Sequence, residues 1–447
     1  MPQNKETVSQ REIILEALIR IHEEGAFSHV VIAALMEKYA FLPDEQRFFI
    51  RYVISETVRN RIYLDYMIDA LSKTKVAKMK PLIRNLLRMS ACQILLMEQI
   101  PASAAVNEAV KLAKKRGFSS LSGFVNGVLR NLDRKKDSIL LPDPEKDRMA
   151  YYSVKYSLPV FVVEKILSSL PEEEKEQADI VLAALHEKRP LCMRLSYSLS
   201  EEEKQRCLKE LEEADIRATG SEMLAYAYYL EGVSGIENLP GFKRGNFYLQ
   251  DIGSMMVVCQ ADLKKGDKVL DLCGAPGGKA LQAADRLNAL GGGSVEVRDV
   301  SEAKVEKIRE NIRKSGLTNI EARVFDATKK DDTRIGQADV VIADVPCSGL
   351  GVLGRKPDIA LRLKPEDFLS LQALQRRILS ASFDYVKPGG TLLYSTCTVT
   401  REENEDNREW ILQNLPFSLE KELRLSPGIT ESDGFYMAVF KRNEQEA

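Results

Sequence analysis

The apolar residues of this chain change their period part-way along it, and that change limits the possible architecture more than any single motif. From Ser9 to Leu132 they recur every three to four positions: Ile13, Ile14, Ala17, Leu18 and Ile21, then Leu82, Leu86 and Leu87, and later Val106, Ala109 and Val110. Such a stripe reaches a single core only when the chain is helical. Breaks at Gly25, Pro43, Pro101 and Gly117 divide the region into the helices of a bundle, which ends in the turn-rich stretch LLPDPEKD. From Ile236 onward the pattern is KVLDL, SVEVRD, IEARVFD, ADVVIAD and GGTLLYST, separated by helical stretches such as VEKIRENIRKSG. That alternation predicts a mainly parallel sheet with helices on both faces. Between the two regions, charged helical material (PEEEKEQADIVLAALHEKR) leads into the short runs PLCMRLSYS and AYAYYLEGV, which read as a small α+β module near 186–235. The 447 residues are therefore expected to form a multidomain chain: an all-helical bundle over 1–140, linker helices and the small module over 141–235, and an α/β domain over 236–447.

Charge has to be read by segment. Over the whole chain 64 basic residues meet 66 acidic ones, a net charge of -2 that would argue against nucleic acid. Between Leu71 and Lys136, however, stand fourteen basic residues (Lys73, Lys75, Lys78, Lys80, Arg84, Arg88, Lys111, Lys114, Lys115, Arg116, Arg130, Arg134, Lys135, Lys136) against Glu98, Glu108 and Asp133. An excess of eleven positive charges on a helical domain reads either as a solvated face or as a phosphate-contacting surface for nucleic acid.

Seven cysteines without a CxxC pair suggest reduced thiols in the cytoplasm rather than a disulfide framework or a zinc site, and no metal is expected. The polar start MPQNKETVSQ and the lack of any run of about 18 apolar residues predict neither secretion nor a membrane span. The three histidines, His22, His29 and His186, all lie in the first half. Chemistry in the second half must proceed without an imidazole base, which excludes Ser-His-Asp and Cys-His hydrolases there.

In KVLDLCGAPGGKA a buried strand runs directly into a glycine-rich turn and a helix beginning near Lys279, an arrangement that lets a ligand approach backbone amides closely. It is not a Walker loop, because Cys273 stands five positions before Gly278 and Ala280 follows Lys279. The dinucleotide pattern GxGxxG also fails, since Ala275 and Pro276 separate Gly274 from Gly277. Asp299, at the end of the next strand, is placed to accept from ribose hydroxyls, and Asp326 ends the third strand. A cofactor with ribose and adenine but no phosphates suits these acids, and S-adenosylmethionine, cationic at sulfur, suits them best. Asp344 with Cys347, and Cys397, follow the fourth and fifth strands, where open α/β sheets bind ligands, so both thiols should face one crevice.

The series DLCGAPGGKA, ADVVIADVPCSGLG, KPGGTLLYSTCT and GFYMAVFKR resembles the RNA 5-methylcytosine methyltransferase family, Rossmann-like enzymes that use S-adenosylmethionine. The helical region resembles NusB, an RNA-binding antitermination factor, through AVNEAVKLAKKRG and FVNGVLRNL. Their fusion is the arrangement of the RsmB/Sun (Fmu) family of 16S rRNA cytosine-5 methyltransferases. The resemblance assigns Cys273, Gly274, Ala275, Pro276, Gly277, Gly278 and Lys279 to the cofactor loop, Asp299 to the ribose and Asp326 to the adenine. It places Asp344 between cofactor and target base, makes Cys397 the nucleophile, and gives Cys347 the release of product. Three departures stand out: the family usually carries Ala at position 274 and Thr at 280, and its Trp after the PDI segment is absent from PDIALRLK.

Cytosine carbon 5 is too electron-poor to take a methyl group directly, and a thiolate adding at carbon 6 converts it to an enamine-like nucleophile. The target must be single-stranded or flipped, which gives the basic front end its purpose of holding folded ribosomal RNA. The expected partner is thus small-subunit ribosomal RNA, without a membrane, with the protein a monomer. Transfer RNA stays open as substrate. DNA transfer is disfavoured, since the only nearby match to the partner motif of those enzymes is ENE at Glu403–Glu405; a non-catalytic RNA-binding protein is disfavoured by both cysteines and the three cofactor acids.

Overall fold

A computed structural model describes residues 9–233, 235–236 and 239–444, so most of the polar start, residues 1–8, lies outside the described residues. The chain divides into two compact units: the part up to Lys165 together with Lys356–Arg362, and Ile166–Arg355 together with the part from Leu363.

The first unit holds α1 (Gln10–His22), α2 (Ser28–Lys38), α3 (Asp44–Arg59), α4 (Arg61–Leu71), α5 (Pro81–Leu96), α6 (Ala102–Lys115), α7 (Ser122–Lys135) and α8 (Arg148–Lys155). Its core is the stripe read from the sequence: Ile13, Ile14 and Leu18 of α1 pack in one cluster with Leu86 and Leu87 of α5 and Val106 and Ala109 of α6. The segment Lys356–Arg362 was not expected in this unit, because periodicity carries no signal for a partner 330 residues away. It arrives at the start of α2, which has no capping side chain of its own. There Asp358 accepts from the Ser28 backbone N–H at 3.0 Å and from Ser28 Oγ at 2.6 Å, satisfying an amide that the helix leaves open. Arg362 donates to the carbonyls of Gly25 and Ala26 and lies over the Phe27 ring at 4.4 Å. The charge count also needs adjusting. Of the fourteen basic residues, Arg84 pairs with Glu23, Arg88 with Asp65, and Lys115 and Arg116 with Glu12, all acids outside the counted window. Lys73, Lys75, Lys78 and Lys80, between α4 and α5, remain exposed.

The division between units falls within α9 (Val160–Ser169). The second unit continues with α10 (Ala178–His186), β1 (Leu191–Leu195), α11 (Glu201–Glu213), β2 (Arg217–Gly220), β3 (Ala227–Glu231) and β4 (Phe247–Leu249). The strands form an antiparallel sheet in the order β2-β3-β1-β4, so the small sheet runs on to Leu249.

After α12 (Ile252–Cys259) come β5 (Lys268–Asp271), α13 (Gly278–Ala289), β6 (Ser294–Asp299), α14 (Glu302–Ser315), β7 (Ile320–Val324), β8 (Ala338–Asp344), α15 (Pro365–Ser382), β9 (Val386–Thr396), α16 (Glu405–Asn414), β10 (Phe417–Leu425) and β11 (Phe435–Arg442). They build a seven-stranded sheet in the order β10-β11-β9-β8-β5-β6-β7. The five strands from β9 to β7 are parallel, and β11 and β10 close the edge antiparallel. Adjacent residues of β8 serve opposite faces. Val340 and Ile342 pack with Ala283, Leu287 and Ile308 of α13 and α14, while Val341 and Ala343 pack with Ile378, Leu379 and Ile411 of α15 and α16. A strand covered on both sides has no solvent face, which is why ADVVIAD reads as an unbroken apolar run. The expected class is thus observed: a helical bundle, a small α+β module and a Rossmann-like α/β sheet. Strand order reverses direction between β5 and β8, which opens a crevice at their carboxyl ends.

Candidate active site

The turn after β5 and the acids after β6 and β8 meet at that crevice. Gly277 takes a left-handed φ of 111° immediately before α13, and Gly274 has no room for a side chain: an added Cβ would lie 2.2 Å from Val297 Cγ2 and 2.7 Å from Asp271 Oδ2. Glycine at 274 is thus required by the approach of Val297 and Asp271. Asp299 ends β6 as expected, and its carboxylate accepts from the Ala275 N–H at 3.3 Å and the Val300 N–H at 2.8 Å, tying the second strand to the loop. Asp326 lies two residues beyond the end of β7. Hydrogen bonds from the Thr328 hydroxyl and N–H hold its carboxyl below the usual range.

Asp271 escaped the sequence reading because it looks like the last residue of a buried strand. Its Oδ1 accepts from the Cys273 N–H at 3.4 Å, and Oδ2 is sealed from water with no donor. Burial, and then the nearby Asp344 charge, push its carboxyl up to about 7. An unsatisfied carboxylate oxygen beside two further acids fits a ligand that brings positive charge, as the sulfonium of S-adenosylmethionine does. Cys273, in the same loop, has its thiol raised by burial and is no candidate for a nucleophile.

On the other side of the crevice Asp344 ends β8, with Oδ2 accepting from Lys279 Nζ at 2.7 Å and Oδ1 from Ser395 Oγ at 2.8 Å. Burial alone would lower the Lys279 pKa, but the Asp344 charge and hydrogen bond, joined by the Asp271 and Cys397 charges, together outweigh it and the net shift is upward, so Lys279 stays an ammonium. Cys347 and Cys397 follow adjacent parallel strands and bring their sulfurs to 3.4 Å. The Cys347 thiol is raised well above the ordinary value, first by its hydrogen bond with Cys397, then by burial and by the Cys397, Glu403 and Asp344 charges. The two thiols thus differ in surroundings: Cys397 feels the Lys279 charge, whereas Cys347 lies towards Glu403. Ser395 was also missed, since a serine inside an apolar strand gives no signal until its partner across β8 is known.

A family model described as 16S rRNA methyltransferase RsmB/F matches residues 258–441, and a NusB family model matches residues 8–134. A probable ribosomal RNA small subunit methyltransferase B of Bacillus subtilis is 32% identical over 97% of this chain and 99% of its own length. The crystal structure of PH0851 superposes with a TM-score of 0.80 at 22% identity, covering 97% of this chain and 99% of that one. NSun6 from Pyrococcus horikoshii with SFG superposes with a TM-score of 0.56 at 20% identity, covering 64% of this chain and 99% of that one. The two superpositions establish a shared fold.

Proposed function

Given that this chain belongs to the RsmB/F family of S-adenosylmethionine-dependent 16S rRNA methyltransferases, we propose that it methylates carbon 5 of one cytosine through a covalent adduct with Cys397. The observation that carries this reading is the pair of sulfurs 3.4 Å apart beside the Lys279–Asp344 ion pair.

The residues that would hold the cofactor are the loop Cys273–Lys279, with Asp299 at the ribose, Asp326 at the adenine and Asp271 towards the positive charge. When bound, S-adenosylmethionine supplies an electrophilic methyl group. The Lys279 ammonium favours the thiolate of Cys397, which adds to carbon 6 and leaves carbon 5 electron-rich. Asp344, oriented by Lys279 and Ser395, offsets charge building at ring nitrogen 3 by relaying a proton. Once the Cys397 sulfur is a thioether, it no longer helps hold the proton on Cys347. Cys347 then gives its own proton to water and, as thiolate, takes the carbon-5 proton; the electron pair restores the ring double bond, Cys397 leaves as thiolate, and the proton on ring nitrogen 3 returns through Asp344. The basic surface of the N-terminal bundle, as the RNA-binding domain, holds the small-subunit RNA while one unstacked cytosine enters the crevice. The enzyme works in this reading as a cytoplasmic monomer. Among the described residues no helix is long and apolar enough to cross a membrane.

The test uses labelled S-adenosylmethionine and 16S ribosomal RNA with Cys397→Ala and Cys347→Ala. Cys397→Ala is expected to abolish transfer, and Cys347→Ala to accumulate a protein–RNA adduct that survives denaturation. Normal turnover by Cys397→Ala would remove the nucleophile assignment, and mapping the labelled nucleotide checks the base and carbon.

A further inference from the structure

Glu403 opens the ENE stretch, to which the reading above gives no role, yet its carboxylate is fully buried. Among the described residues no lysine or arginine forms an ion pair with it. Four neutral donors fill its lone pairs. Oε2 accepts from the Ser348 backbone N–H at 2.8 Å and Gln375 Nε2 at 2.9 Å; Oε1 accepts from Ser348 Oγ at 2.5 Å and Thr400 Oγ1 at 2.8 Å. A buried carboxylate is retained only when it is satisfied in this way, and then it fixes its donors strongly. The donors are informative. Ser348 follows Cys347, Thr400 lies three residues past Cys397, and Ser348 Oγ also meets Thr398 Oγ1 at 2.7 Å, the residue after Cys397. Gln375 adds α15 to the set, since its Nε2 also donates to the Pro346 carbonyl at 2.9 Å, the residue before Cys347. One side chain therefore gathers donors that follow both thiols and, through Gln375, reaches the residue before Cys347.

We propose that Glu403 is the positioning residue that sets the Cys347 and Cys397 loops against each other, so that both sulfurs face one carbon skeleton of the base. The proposal rests on the covalent reading above. It acts through Ser348, Thr398 and Thr400, without touching substrate. The carboxylate charge also favours the protonated form of the Cys347 thiol.

The hydrogen-bond pattern predicts which substitutions matter. In Glu403→Gln the amide oxygen can face the two obligate donors, Ser348 N–H and Gln375, while its amino group faces the two hydroxyls, which can rotate to accept. Glu403→Ala removes the shared acceptor: the Ser348 N–H and Thr400 hydroxyl lose it while buried, whereas Ser348 Oγ keeps Thr398 and Gln375 keeps the Pro346 carbonyl. In 16S ribosomal RNA methylation assays on the full chain, Glu403→Ala is expected to lower kcat about 10²-fold, the scale of a roughly 1 Å misplacement, with S-adenosylmethionine affinity unchanged by calorimetry. Glu403→Gln is expected to restore most of kcat. It should also shift iodoacetamide labelling of Cys347, read by mass spectrometry, to lower pH, which a merely structural role would not do. Wild-type kcat in Glu403→Ala, failure of Glu403→Gln to exceed Glu403→Ala, or an unshifted Cys347 labelling profile overturns the proposal. If Glu403→Ala does not fold, Ser348→Ala takes its place, and wild-type kcat there overturns the proposal equally. Cys397→Ser run alongside separates the two levels. Turnover in that variant removes the covalent reading, whereas an inactive Cys397→Ser beside an unimpaired Glu403→Ala removes only the role of Glu403.

Discussion

Asp271 ends β5 with one carboxylate oxygen accepting from the loop and the other shut away from any donor. Because the fold raises its pKa to about 7, the neutral form is favoured in the free protein below that pH. The sign follows: from the ordinary carboxylate range up to about 7 this group makes folding less favourable as pH rises, and above that range the cost is complete. A cationic cofactor prefers the ionised form. Affinity for S-adenosylmethionine is thus expected to rise with pH up to about 7, by at most about tenfold per unit, with proton release on binding below that pH. Calorimetry in two buffers of different ionisation enthalpy measures this directly, and Asp271→Asn should flatten the dependence.

At the scale of elements, α2 depends on a cap borrowed from far along the chain. Asp358, nearly inaccessible to solvent, takes the place of an N-cap side chain, and Asp358→Ala is expected to cost about 1 kcal/mol, seen as a lower denaturation midpoint of the bundle, with Asp358→Asn milder. This cap marks the limit of what the sequence discloses. Helices of the bundle are legible because every turn repeats the same apolar interval, and the strands of the large sheet because their runs are short and bounded by Gly, Pro and Asp. Cys347 and Cys397 are legible because each follows a strand next to turn-forming residues. Asp358, Asp271, Ser395 and Glu403 act through partners that are distant in sequence or set by register, and a polar residue in a buried run looks the same whether it is idle or anchors a site. The count of basic residues was misleading for a related reason: a window along the chain cannot see Glu12, Glu23 or Asp65 folding back on it.

For the whole molecule, the corrected charge map leaves the lysines between α4 and α5 as one of two exposed basic clusters of the bundle, the other being Lys114, Arg130, Arg134 and Lys135 on α6 and α7. Replacing Lys73, Lys75, Lys78 and Lys80 together by Ala is expected to weaken 16S ribosomal RNA binding and to reduce the slope of log K against log salt by roughly 0.7 for each phosphate that is no longer neutralised. Cofactor affinity should not change. Arg88→Ala is the contrasting case: it leaves Asp65 without its partner and should lower thermal stability more than it alters the salt slope. Filter binding over a salt series together with thermal melts distinguishes the two groups. The return of Lys356–Arg362 to the bundle has a consequence for how such a chain is inherited. Recombination that joined a foreign bundle at residue 165 would bring a new α2 to an Asp358 and Arg362 selected for the old one. The two halves therefore have to drift together, and substitutions at Gly25–Ser28 should be matched by compensating ones behind Cys347, as in a lock whose ward is cut on a distant part of the same key.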